Sequence, residues 1–227
     1  MITEPSSRAA TNELLGGLHT GRWRRPAWSA FLTRTTRRSI HQAAQRPRAL
    51  LEITVLHCVF DAVGRRARRG LRPSTWTAAS WLMAACHLGL LEQRRSLSLA
   101  DVLTLVRANL PALAGTRVDP WLAAVALSTD LLDGRLARAS GTHSPFGRYA
   151  DYLADAAFWT WFTLANEPSS RMRAAAIGAW VLPVVAVTTI SVARGRMVDA
   201  PRPRVLRPAV AFQVVLAVRR RSRGSAR

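Results

Sequence analysis

Four aspartates, Asp130, Asp133, Asp151 and Asp155, fall within 26 consecutive residues. The chain has eight aspartates in all, so half of them sit in this window, inside otherwise apolar stretches. On a helix, Asp130, Asp133, Gly134 and Ala137 are spaced 0, 3, 4 and 7 and share one face. Gly147, Asp151 and Asp155, spaced 0, 4 and 8, share another. Between the two runs, residues 139–146 hold Gly141, Ser144 and Pro145, which break helices. Two helices therefore turn back on each other, and their aspartate faces can meet. Four carboxylates converging in a low-dielectric bundle repel one another and are costly to desolvate. Such a cluster calls for cations, and hard oxygen ligands suit Mg²⁺ or Mn²⁺. Gly134, Ala137 and Gly147 leave room on these faces for a substrate to approach the backbone. The plainer alternative is that the acids pair with arginines for packing alone, Arg138 with Asp133 for example. Carboxylates inside a membrane are, however, functional by default.

The elements that must carry these residues follow from the distribution of charge and apolar sequence. The chain has 227 residues, 49% of them hydrophobic, and a formal net charge of +20. Every one of the 33 basic residues is arginine, and they gather in blocks at 65–72, 194–207 and 219–227. Arginine blocks flanking apolar runs are the pattern of multi-span membrane proteins obeying the positive-inside rule. The blocks suit anionic lipid headgroups. They match no nucleic-acid-binding fold, so no nucleic-acid partner is expected. Cys58 and Cys86 show no metal-ligand spacing and read as buried packing residues beside His57 and His87.

Apolar candidates run over about 49–64, 74–91, 102–117, 121–138, 148–166, 172–193 and 206–218. A single span needs roughly 20 apolar residues, a length that only 172–193 meets cleanly. The arginines Arg135, Arg138 and Arg148 place the 139–147 loop on the cytoplasmic side, and the 194–207 block agrees. Not every segment can span and satisfy every block, so 49–64 or 206–218, or both, are expected at the interface. Residues 1–48 read as a flexible or interfacial arm, with Trp23 and Trp28 beside Arg22, Arg24 and Arg25. The class is all-α.

The pattern Asp130-x2-Asp133-Gly134-x2-Ala137-Arg138-x8-Gly147-x3-Asp151-x3-Asp155 resembles in full the signature of the CDP-alcohol phosphatidyltransferase family. The resemblance covers roughly residues 98–196. Leu103-Thr104-Leu105-Val106-Arg107 is similar to the Leu-Thr-x-x-Arg start of the family's first membrane helix, with Asp101 where many members have Asn. Ser191 to Arg196 resembles the end of the fourth family helix in phosphatidylinositol-phosphate and glycerophosphate synthases. Val192 and Val198 stand there in place of the usual Tyr and Glu, and the acceptor stays open between these activities and cardiolipin synthesis.

The resemblance implies an all-α, multi-span membrane helix bundle with a CDP-alcohol phosphatidyltransferase-like core. It implies a two-metal site of Mg²⁺ or Mn²⁺ on Asp130, Asp133, Asp151 and Asp155, with Asp155 also the catalytic general base. Gly134, Ala137, Arg138 and Gly147 would border the CDP group, and Arg194 and Arg196 would bind an acceptor phosphate or serve as plain positive-inside charge. The substrates would be CDP-diacylglycerol and a small or lipid alcohol acceptor, the product a phospholipid, and the by-product CMP. The expected place is integral in the membrane, multi-pass, with the active site facing the cytoplasm, the plasma membrane if the source is bacterial. Membrane lipids are expected partners, and a homodimer would compensate for the short sequence after Arg196. The expected division is an arginine-rich arm (1–48), additional apolar helices (49–97), the family-like membrane domain (98–219) and a basic tail (220–227). The rival reading is a non-catalytic membrane scaffold derived from such an enzyme.

Overall fold

The computed structural model describes residues 7–67, 75–114, 121–142 and 144–198. Among these residues there are helices and turns but no strand. The helices are α1 (Ser7–Thr20), α2 (Arg25–Ala44), α3 (Pro47–Ala67), α4 (Thr75–Cys86), α5 (Leu99–Leu113), α6 (Trp121–Ala139), α7 (Pro145–Asn166) and α8 (Ser170–Arg194). A short 3-10 turn, Leu88–Leu91, follows α4. The 206–218 segment, the 219–227 arginine block and most of the 65–72 and 194–207 blocks lie outside the described residues.

Helix α5 is the organising element. Its start is a capping box. Ser98 Oγ accepts from the Asp101 backbone N–H, and the Asp101 carboxylate accepts from the Ser98 N–H at 2.8 Å. It packs most heavily on α7 and α6, and also meets α3 and α4. Two apolar clusters flank it. One joins Leu110 of α5 to Leu122 and Ala126 of α6, Phe158 and Phe162 of α7, and Trp180 of α8. The other joins Leu105 of α5 to Ile53 and Phe60 of α3, Leu88 and Leu91 of the 3-10 turn, and Phe146 of α7. Leu105 and Leu110 thus commit α5 to burial on both sides, and Arg107 between them is carried into the interior.

The α6–α7 turn falls where the helix breakers stand. Gly141 adopts a left-handed φ of 63°, and Ser144 caps α7 by accepting from the Gly147 N–H at 3.1 Å. Pro145 takes the first turn of α7, where its missing N–H costs nothing. Helix α8 is long and apolar enough to cross a membrane by length and composition, and little of its apolar window is buried within the bundle. It ends on Gly195 at a left-handed φ of 64°.

The N-terminal arm, expected to be flexible or interfacial, is helical over 7–20 and 25–44, and α1 packs on α2 and α8. Leu15 and Leu18 of α1 are buried, Trp23 Nε1 donates to the Val192 carbonyl at 3.3 Å, and the Met197 N–H donates to Asn12 at 2.7 Å. Cys58 and Cys86 are exposed rather than buried, since their helices turn His57 inward and both thiols outward. His57 is satisfied by the Ile53 carbonyl and the Ser80 hydroxyl, which leaves it no part in a metal site.

Candidate metal and substrate site

All four aspartates of the motif meet around one side chain, Arg107 of α5, which is completely buried. Its Nη1 lies 2.9 Å from Asp133 Oδ2 and 3.5 Å from Asp130 Oδ1. Its Nη2 donates to Asp151 Oδ1. Its Nε lies 2.9 Å from Asp155 Oδ1 but out of hydrogen-bond alignment, so this buried N–H has an ionic neighbour and no hydrogen-bond acceptor. Three helices therefore build the site: α5 supplies the cation, α6 supplies Asp130 and Asp133, and α7 supplies Asp151 and Asp155.

The carboxylates are not equivalent. Asp130 and Asp151 have side chains 41% and 44% exposed, whereas Asp133 and Asp155 are at 8% and 15%. The site thus has an open rim and a closed floor. At the floor, Asp133 Oδ2 also accepts from Thr104 Oγ1 at 3.0 Å, one helical turn before Arg107 on α5. Asp130, Asp151 and Asp155 each offer a carboxylate oxygen within 4.8 Å of the other two, close enough to share an ion. Four carboxylates against one guanidinium leave a formal charge of −3, so the donor set still favours hard cations. The oxygen-only donor set of Asp130, Asp151 and Asp155 fits a hard divalent cation.

A second polar group sets the distance between α5 and α7. Arg94 donates to Asp101 Oδ2 at 2.8 Å and to Ser144 Oγ at 2.7 Å, so one side chain joins the caps of both helices. A Cβ on Gly147 would come 3.2 Å from Asp101 Oδ1. The absence of a side chain there lets the start of α7 close against α5, which brings Asp151 and Asp155 level with Arg107.

The remaining expected residues lie at different distances from this centre. Gly134 and Ala137 are half-buried on α6, and the exposed Arg138 folds back over Gly134, whose Cβ would stand 3.3 Å from its Nη1. Asp133 therefore pairs with Arg107 and not with Arg138. Arg194 and Arg196, both exposed, belong to the α1–α8 junction around Gly195 and His19 and not to the Arg107 cluster. Arg94 is a site-shaping residue to which sequence reasoning assigned no role, while Thr104 entered only within the Leu-Thr-x-x-Arg motif and Ser144 only as a helix breaker. Arg107 was visible only as part of a motif. The available signal was Thr104 and Arg107 at i and i+3 in an apolar run, one face of α5 carrying polar groups into a core.

A family model described as CDP-alcohol phosphatidyltransferase matches residues 97–218. This range is more than half of the 227 residues and contains all four aspartates, Thr104 and Arg107. No curated protein matches the chain, and no solved structure matches it.

Proposed function

The chain belongs to the CDP-alcohol phosphatidyltransferase family, and we propose that it transfers the phosphatidyl group of CDP-diacylglycerol to an alcohol acceptor with release of CMP. Phosphatidyl transfer from a CDP-alcohol in phospholipid synthesis is the chemistry of the family, which is membrane-associated and uses divalent metals. The observation that carries the proposal for this chain is the convergence of Asp130, Asp151 and Asp155 within 4.8 Å, in a site whose rim is open.

Asp130, Asp133, Asp151 and Asp155 would hold two divalent ions, Mg²⁺ or Mn²⁺. Both protein bonds to Asp133 land on Oδ2, so Oδ1 is the oxygen it would present. A bound metal pair supplies neutralisation of the diphosphate and of the departing CMP. Asp155 takes the proton of the acceptor hydroxyl. The alcohol oxygen then bonds to the lipid-side phosphorus while the bond from that phosphorus to the oxygen of CMP breaks. In-line transfer of this kind depends on positioning and charge neutralisation, and the packing of α6 and α7 on α5 supplies positioning. Gly134, Ala137, Arg138 and Gly147 would border the CDP group, with Arg138 near its phosphates, and Arg194 and Arg196, at the α1–α8 junction, would take an acceptor phosphate or serve as plain positive-inside charge.

An apolar cleft supports a lipid donor. Trp76 and Met83 of α4, Leu105 of α5 and Phe146, Leu153 and Ala157 of α7 line a space of about 280 Å³. Helix α7 thus carries the acidic residues on one face and a wall of this cleft on another. The same proposal includes a multi-pass bundle with the site towards the cytoplasm, membrane lipids as surroundings, a homodimer, and division of the chain at 48, 97 and 219.

Purified protein in detergent, given CDP-diacylglycerol and a metal, should release CMP with one acceptor of a panel. Asp155→Asn should not. A variant as active as the parent would remove Asp155 from the mechanism.

A further inference from the structure

We infer that Arg107 is an internal competitor of the metals, a tethered cation that occupies the carboxylate set and must yield oxygens for divalent ions to load. The inference rests on the metal reading of the site. Its own ground is the placement of the guanidinium. Arg107 touches one oxygen of each of the four aspartates, Oδ1 of Asp130, Asp151 and Asp155 and Oδ2 of Asp133. Three of these four oxygens belong to the carboxylates that could share an ion, those of Asp130, Asp151 and Asp155. Arginine is charged at every working pH, so it cannot give way by losing a proton. A divalent ion entering this set meets like charge a few ångströms away in a poorly screened interior.

The contacts also indicate which ones yield. Asp133 is held on the floor by Thr104 as well as by Arg107, in good hydrogen-bond geometry. Asp155 faces Nε without an aligned bond, and Asp130 is the longest of the four contacts at 3.5 Å. Arg107 therefore keeps Asp133 and surrenders Asp130 and Asp155 first. Before loading, the guanidinium prevents four crowded carboxylates from forcing α6 and α7 apart. After loading, metal charge takes over that task. Arg107 is thus a positioning residue that sets how much metal the site demands.

The test is Mn²⁺ alone, titrated into full-length detergent-purified protein and followed by the electron paramagnetic resonance signal of free Mn²⁺, with melting recorded in chelator and in saturating Mn²⁺. Arg107→Gln should bind Mn²⁺ at least tenfold more tightly than the parent. It should melt several degrees lower in chelator and recover more of that loss when Mn²⁺ is added. Arg107→Lys keeps the charge but loses the fork that reaches several carboxylates, and should bind Mn²⁺ with intermediate affinity. It decides the matter if the Gln variant does not fold. Unchanged or weaker Mn²⁺ binding by a folded variant, with binding by the parent intact, would overturn the inference alone. No binding by parent or variant would overturn the metal reading and the inference with it.

Discussion

Asp151 and Asp155 stand one helical turn apart on α7, yet their settings separate them, 44% against 15% exposed. The rim position suits a ligand that meets incoming ions and substrate, and the floor position suits the group that takes a proton out of contact with water. Asp155→Asn keeps shape and hydrogen-bonding capacity while removing the base. Its turnover should fall by about 10² to 10⁴-fold, the usual worth of a positioned general base, while binding of the CDP-lipid stays measurable by equilibrium titration. The four aspartates and the small residues beside them were legible in the sequence because their spacing is local: 3, 4 and 8 residues on a helix define a face without knowledge of anything else. Arg107 was not legible as their partner. Its Leu-Thr-x-x-Arg setting marked it as part of a motif but named no partner, and its role arises only when α5 is packed between α6 and α7. For the same reason Arg138, within the motif itself, was the nearer guess for Asp133.

At the scale of elements, the α6–α7 turn and the start of α7 were readable from Gly141, Ser144 and Pro145, whose backbone preferences act locally. The tie between helix starts was not, because Arg94, Asp101 and Ser144 are joined only by folding. Ser144→Ala removes the α7 cap and one of the two acceptors of Arg94. It should cost about 1–2 kcal/mol of stability, read as a lower midpoint in thermal melts by circular dichroism. Gly147→Val would crowd the 3.2 Å approach to Asp101. The start of α7 should then move away from α5, and CMP release should drop even though no proposed metal ligand has changed. Melts alone cannot separate these effects, so turnover at saturating metal is the second readout. A Gly147→Val protein with parental turnover would show that the close approach does not position Asp151 and Asp155.

Across the whole molecule, helix α8 is the described segment with the length and hydropathy of a span, as the sequence also indicated for 172–193. The N-terminal arm shows the limit of reading composition. Its composition left a flexible or an interfacial arm open, and apolar residues, Leu15 and Leu18 among them, fold 7–20 into α1 and seat it against α8. Expressed protein should stay with the membrane fraction through high salt and leave it only with detergent. Release by salt alone, with retention on DNA, would favour an arginine-rich nucleic-acid binder instead. The central claim is the transfer reaction, and its most direct test is CMP release. Detergent-purified protein would be given CDP-diacylglycerol, Mg²⁺ or Mn²⁺, and in turn glycerol 3-phosphate, inositol 1-phosphate, inositol, serine and phosphatidylglycerol. Metal-dependent CMP release with one acceptor, cut at least about a hundredfold by Asp155→Asn, is the expected result. Folded, Mn²⁺-binding protein that releases no CMP with any of these alcohols would contradict the account and favour a non-catalytic scaffold.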